Sequence, residues 1–331
     1  MAEAEKQITE IDLEVSKGQQ KKVRLDKYVA SSVQNASRTK VKAAIKAGRV
    51  LVNGKKEKPS YNVQPEDQIE ITLMKPPPPE VVPENIPLDI IYEDDDLLIV
   101  NKPPDMVVHP AYANWNGTLV NGLMYHIEQL SEPEEDTIRP GIVHRIDKDT
   151  SGILVVAKKN EIHSELSRYF MRHDIERTYW AVVWGHPDKE GTIDAHLGRD
   201  PYNRKRFAVV PEDRGKHAVT HYKVLEYFDH LALAEIKLET GRTHQIRVHF
   251  SDLEMPVFGD QTYGGDSVRY GSNTGSRKQM FNNLFAKLDR QCLHAKTLGF
   301  EHPRTGEYVE FDSKLPEDFQ TVLDMLRKTC K

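Results

Sequence analysis

Cysteine is nearly absent. Cys292 and Cys330 are the only two in 331 residues and make neither a CxxC pair nor a disulfide framework, which excludes a disulfide-stapled fold and fits a reducing, cytoplasmic setting. Long hydrophobic runs are missing too: no apolar stretch approaches the roughly 18–20 residues that span a bilayer, so no membrane partner is expected. The acidic start MAEAEKQITEIDLEV has no apolar core segment, and a secretory signal is not expected. The Asn116-Gly117-Thr118 triplet then carries no glycosylation meaning. Several chemical signatures are lacking as well. There is no GxxxxGK[ST] for nucleotide hydrolysis, and Ser151 lacks the G-x-S-x-G elbow of serine hydrolases. His144-Arg145 is not followed directly by Asp, and no Gly-rich phosphate loop or Asp-Phe-Gly accompanies it, which excludes a kinase. His244 and His249 stand five apart, so they do not share a helix face as in HExxH, and no metal or cofactor is expected.

A net positive charge is absent too, the balance being −5, which taken alone argues against nucleic acid. The average hides an asymmetry. Residues 16–58 hold 13 Lys or Arg against Asp26 and Glu57 alone, while acids gather elsewhere, as in Glu93-Asp94-Asp95-Asp96 and 132–136. A basic block of that size is a phosphate-binding footprint or a solvated helix face, and charge does not choose between them.

The block has internal order. Ser37 can cap a helix from Arg38 to Ala47 that ends at Gly48, with Val41, Ala44 and Ile45 as its apolar stripe. Arg38, Lys42 and Lys46 then share one face at i, i+4, i+8. A shorter helix is predicted over Leu25–Val33. Val50-Leu51-Val52, the Asn53-Gly54 turn and a strand near Gln68–Leu73 complete a small module. Pro76 to Pro79, with Pro83 and Pro87, reads as a semi-rigid linker. The length suggests two or three domains, and the boundaries expected are 16–75, a linker at 76–88, and 89–330.

Beyond the linker, strands are predicted at Asp96–Asn101, Ile153–Lys158, Arg177–Trp184, Ala218–Tyr227 and Leu231–Glu239. Helices are predicted at Thr118–Leu130, Glu161–Arg172 and Pro316–Lys328. Without βαβ regularity this is a mixed, mainly antiparallel α+β domain. Residues 264–280, rich in Gly, Ser and Asn, read as a mobile surface loop, and no role is derived for 265–290.

Within GIVHRIDKDTSGILVVAK (141–158), Ile153–Ala157 reads as a buried strand and Lys148–Gly152 as a tight turn. Asp147 therefore sits on a loop anchored by a rigid element, either as a turn carboxylate or as a chemical group. Arg242, His244, Gln245, Arg247 and His249 crowd the segment GRTHQIRVH, where Arg and Gln suit phosphate and base-edge contacts. A carboxylate, a phenol and guanidinium groups without a cofactor suit chemistry on an electrophilic substrate, with Asp147 as nucleophile or base.

The stretch around Asp147 resembles the catalytic motif of pseudouridine synthases of the RluA/RluD type. Asn101-Lys102-Pro103-Pro104, Val107-Val108-His109-Pro110, Gly117 to Asn121, Arg177-Thr178-Tyr179, Gly241 to His249, Gly259 to Gly264 and Leu293-His294-Ala295 follow in that family's order over roughly 85–325. The basic module is similar to an S-four-type RNA-binding domain, through Arg24 to Tyr28, Ser37-Arg38 and Gly48 to Gly54. The resemblance implies an α+β pseudouridine-synthase domain behind a small α/β RNA-binding domain. It implies isomerisation of uridines in large-subunit (23S) ribosomal RNA by base flipping. Ribosomal RNA, the ribosome or an assembly intermediate would be the partners, and the protein a cytoplasmic monomer. Asp147 matches the catalytic aspartate and must be ionised, which a nearby cation favours. Arg247 matches the basic residue paired with it, and Tyr179 the tyrosine lying against the base, though a Tyr beside Trp180 also suits a core. Arg145 is expected to fill the space the flipped base leaves, or else to bind phosphate. His144, Arg242, His244 and Gln245 are expected RNA contacts, as are Arg38, Lys42 and Lys46. Asp105 stands where the family has Gly, and a preserved left-handed turn is expected there. The same chemistry on tRNA and a silent RNA-binding assembly factor are the alternatives.

Overall fold

The structure is a computed structural model describing residues 7–18, 22–33, 36–75, 81–111, 114–128, 130–131, 139–203 and 206–329. The chain divides into two compact units, Met1–Pro79 and Glu80–Lys331.

The first unit runs β1 (Gln7–Glu14), α1 (Leu25–Ser32), α2 (Arg38–Lys46), β2 (Val50–Val52), β3 (Lys55–Lys56) and β4 (Gln68–Lys75). Ser37 caps α2 by accepting the Lys40 N–H, and Gly48 closes it with a positive φ. Val41 and Ile45 turn inward with Leu25 and Val29 onto Val50, Val52, Ile69 and Ile71. The strand order is β1-β4-β2-β3. β1 pairs with β4 along its whole length, so the expected start at 16 leaves out an edge strand of this sheet. Its acidic residues alternate with Ile11 and Leu13, which pack toward the core.

The second unit contains β5 (Asp89–Glu93), β6 (Leu97–Lys102), α3 (Leu119–His126), β7 (Ser151–Ala157), α4 (Asn160–Arg172), β8 (Glu176–Trp184), β9 (Glu190–Arg199), β10 (Phe207–Val209), β11 (Lys216–Tyr227), β12 (Leu231–Leu238), α5 (Gln245–Asp252), α6 (Gly275–Phe285), β13 (Leu293–Glu301), β14 (Tyr308–Asp312) and α7 (Glu317–Thr329). Of the expected linker, 76–80 lie outside the described residues. The rest packs on α3: Val81 is buried, Asn121 donates to the Val82 carbonyl, and the Gly117 N–H donates to Glu84.

One sheet carries this unit, in the order β10-β9-β11-β12-β8-β13-β7-β6-β5, with β14 on β13. Neighbours are antiparallel except β13 and β7, which run parallel. Both faces are covered. Along β8, Tyr179, Ala181 and Val183 face the core shared with α3 and α5. Val182 and Trp184 face the other way, onto α6 and α7. On β7, Leu154 and Val156 join the first core, whereas Ile153, Val155 and Ala157 pack on α4. That two-sided burial explains the continuous apolar run. The segment read as a mobile loop is partly helical: α6 begins at Gly275 and lays Phe281 and Leu284 against this second core, with Trp184. Arg277 bonds Asp229 and the Tyr270 carbonyl, fixing the segment that leads into it.

Candidate active site

The parallel seam builds the site. Ala295 on β13 is the cross-strand partner of both Tyr179 on β8 and Gly152 on β7. Gly152 has φ 116°, and a Cβ there would stand 2.2 Å from the Ala295 carbonyl oxygen, so only glycine lets the strands meet. The loop ending at Gly152 is thereby carried to the Tyr179 end of the sheet, and β12 delivers α5 to the same place. A cleft of about 470 Å³ opens there, lined by Arg145, Ile146, Asp147, Tyr179, Leu293 and Arg247 among others.

Residues 148–151 are clamped from several elements. The fully buried Lys102 ammonium donates to the carbonyls of Lys148 (2.9 Å), Pro103 and Met106. Arg290 donates to the Asp149 carbonyl, Gln291 to the Thr150 hydroxyl, and His294 bonds the Ser151 hydroxyl at 2.9 Å. Burial pulls Lys102 down to about 7, with Asp149 opposing. Asp105 takes the expected left-handed geometry (φ 61°), and its carboxylate pairs with Lys148 at 2.8 Å, adding a further tie.

At the cleft floor one guanidinium joins two carboxylates. Arg247 Nη1 donates to Asp147 Oδ2 at 2.8 Å. Its Nε and Nη2 make a two-pronged bond to Asp260, at 2.7 and 3.0 Å. Asp260 is fully buried and also accepts the Thr262 and Tyr263 N–H groups. Burial works against the charge on Arg247, but Asp260 and then Asp147 outweigh it and hold its pKa above the ordinary value. The cation is therefore permanent, and it points a preset donor at Asp147.

His244 begins α5 in a left-handed conformation (φ 57°), a strained placement for a residue other than glycine. Its Nδ1 meets the Tyr263 hydroxyl at 2.9 Å, and its Nε2 stands 3.9 Å from Asp147. Burial lowers its pKa, with Asp147 pulling upward, so the imidazole is neutral near pH 7. Tyr179 is 8% exposed, and burial raises its pKa, opposed by Arg177 and assisted by Asp147. It enters the cleft as a protonated phenol. Among the described residues, Arg145, Arg177 and Arg242 line the same cleft without an ion pair to any carboxylate.

The comparisons with known proteins decide the family. Residues 96–252 match the model described as RNA pseudouridylate synthase, and 23–69 match the S4 domain. A Bacillus subtilis protein, "Uncharacterized RNA pseudouridine synthase YlyB", is 47% identical over 97% of this chain and 99% of its own. The chain belongs to the RNA pseudouridylate synthase family. A "Ribosomal large subunit pseudouridine synthase D" from Zymomonas mobilis is 42% identical, over 92% of this chain and 93% of that one. Among solved structures, Human RNA Pseudouridylate Synthase Domain Containing 1 matches with a TM-score of 0.52 at 26% identity, over 74% of this chain and 96% of that chain. The protein is thus an isomerase with an α+β catalytic fold and an S4 RNA-binding domain.

Within the synthase, the structure brings Asp147, Tyr179, Arg247, Arg145, Arg242 and His244 to one cleft. Two expected RNA contacts are otherwise engaged. Gln245 is buried, and its amide is fully used: the oxygen accepts from Thr240 and Arg242 N–H, and the nitrogen donates to the Val219 carbonyl and Thr220. It is a brace between α5 and β11, with no group left for RNA. The His144 ring lines the cleft but stacks on Phe170 and accepts the Val155 N–H at 3.1 Å. Burial lowers its pKa to about 3, with Arg177 adding to the effect. Arg247 itself is a buried cation rather than a surface helix arginine. On α2, Arg38 donates to the fully buried Asp26 at 3.0 Å and Lys42 stands 3.8 Å from it, while Lys46 is exposed. Asp260, Tyr263, Lys102, Arg290 and His294 were given no role by sequence reasoning. All but Arg290 lie in the motifs that carry the family resemblance.

Proposed function

We propose that this synthase isomerises uridines of large-subunit ribosomal RNA. The carrying observation is Arg247 held between Asp260 and Asp147 in the cleft that Tyr179 also lines, whose other arginines make no ion pair to a carboxylate among the described residues. Uridine becomes pseudouridine when the N1–C1′ bond breaks and C1′ bonds to C5; N1 gains a proton and C5 loses one. Asp147 acts as a carboxylate, kept in place by the Arg247 donor. The Tyr179 ring offers a face for the uracil, and its neutral hydroxyl can pass a proton. A base reaches this cleft only outside its helix, and in this reading the exposed Arg145 stacks where it left or holds its phosphate. Arg242 and His244 border the incoming strand. The S4 unit, with Arg38, Lys42 and Lys46, adds phosphate contacts.

Large-subunit RNA is favoured by the name of the Zymomonas mobilis relative and by the S4 match at 23–69. The test incubates wild type and Asp147→Asn with large-subunit rRNA and, separately, with tRNA, and maps pseudouridine. We expect product on rRNA with wild type and a loss of roughly 10⁴-fold with Asp147→Asn. Product on tRNA alone would move the substrate. Equal yields from both proteins would remove Asp147 from the chemistry.

A further inference from the structure

Arg177 is nine-tenths buried, yet no carboxylate answers its charge among the described residues. Its Nη2 makes only long bonds, 3.3 and 3.4 Å, to the Glu239 and Leu238 carbonyls, and its buried Nε has no acceptor. Its guanidinium also lies 5.6 Å from the centre of the Phe170 ring. Nη1 makes no hydrogen bond among the described residues. It lies beside Gly241, where an added Cβ would come within 2.8 Å of it. Burial accordingly lowers the pKa of this arginine, with Tyr179 opposing. A buried cation without an anion is costly, and a site that keeps one is built for an anion brought from outside.

Its position says which anion. Arg177 and Tyr179 sit two apart on β8, so their side chains leave the same face about 7 Å apart, and both line the cleft. A uracil on Tyr179, with its sugar toward Asp147, places a backbone phosphate about one sugar away. A uracil carbonyl would fill the N–H groups but leave the charge, whereas a phosphodiester answers both. We propose that Arg177 binds a phosphodiester next to the target uridine and so sets the depth to which the nucleotide enters. The proposal rests on the reading of the cleft as a uridine site.

Two readouts test it, with melting temperatures of Arg177→Gln and Arg177→Lys recorded alongside. In the first, binding of a large-subunit rRNA fragment is titrated against salt. Arg177→Gln should lower the slope of log affinity on log salt by about 0.7, and Arg177→Lys should keep it. In the second, a short oligonucleotide spanning a converted uridine carries an uncharged methylphosphonate on its 5′ or 3′ side. One of these positions should cost wild type about tenfold or more in half-saturation, and cost Arg177→Gln nothing further. An unchanged slope, or the same methylphosphonate penalty in both proteins, overturns the proposal. If Arg177→Gln does not fold, wild type insensitive at both positions overturns it. Failure of wild type to convert any rRNA uridine would instead sink the parent reading, while the slope, which needs no turnover, still judges Arg177.

Discussion

Two aspartates with fully buried side chains, Asp26 and Asp260, each hold arginine, and they do so to opposite effect. Asp26 gathers Arg24 and Arg38, with Lys42 close by, whose side chains stay 40–46% exposed. The carboxylate is inside and the cations form a rim that still faces solvent. Asp260 holds a single arginine, itself buried, whose remaining donor reaches a second carboxylate at the cleft. In the proposed mechanism the first arrangement offers its cations to phosphates, and the second aims one hydrogen bond at Asp147. What separates them is where the cation sits. On α2 the i, i+4 spacing keeps Arg38 and Lys42 on the outer face. On α5, Arg247 lies on a helix whose neighbours Ile246, Val248 and Phe250 are all buried.

The contrast can be broken most severely at Arg247. Arg247→Met leaves Asp260 buried without its counter-ion, and denaturant unfolding should show a loss of about 3–5 kcal/mol. Pseudouridine formation should fall with it. Tyr179→Phe keeps the ring and removes the hydroxyl. Conversion at saturating RNA should fall roughly 10²–10⁴-fold while half-saturation holds, as a single-turnover titration would show. Because Arg38 and Lys42 are shared with Asp26, replacing Arg38, Lys42 and Lys46 together by Gln should weaken RNA binding. It should flatten the salt slope by less than about 0.9 per cation. An unchanged slope would mean that α2 faces solvent in the complex.

The smallest effect concerns acid. Burial opposes the charge on Asp26, but hydrogen bonds from Arg24 and Arg38 outweigh it and lower its pKa. A lowered carboxyl contributes stability above its unfolded value, near 4, and loses it as pH falls through the folded value. The protection factors of the α1 and α2 amides in the full chain, with the intrinsic exchange rate divided out, should therefore fall below about pH 4, and Asp26→Asn should flatten that dependence.

Elements whose burial is written in their own residues were legible. β7, β8 and β12 carry apolar runs, β11 is rich in β-branched and aromatic residues, and α2 carries both its cap and its stripe. Elements whose order depends on a neighbour were not. β1 is acidic and becomes a strand by pairing with β4, and β9 is a polar strand between β10 and β11. α6 opens on Gly275-Ser276 and is held through Phe281 and Leu284 packing under Trp184. The same division runs through the site. Asp147, Tyr179 and Arg247 were found through motifs, each local in the chain. Asp260 took its meaning only from Arg247, which the fold places beside it. Gln245 looked like an RNA contact because an amide reads alike in sequence whether it meets a base or braces β11.

The central claim is that Asp260 serves the chemistry at Asp147 by positioning Arg247, while the cations around Asp26 serve binding. It is tested most directly by measuring conversion rate against RNA concentration for Asp260→Asn. The saturating rate should fall about 10²-fold with half-saturation unchanged, as expected when a catalytic group is displaced by a fraction of its reach. A wild-type rate at saturation, with the loss confined to half-saturation, would contradict it.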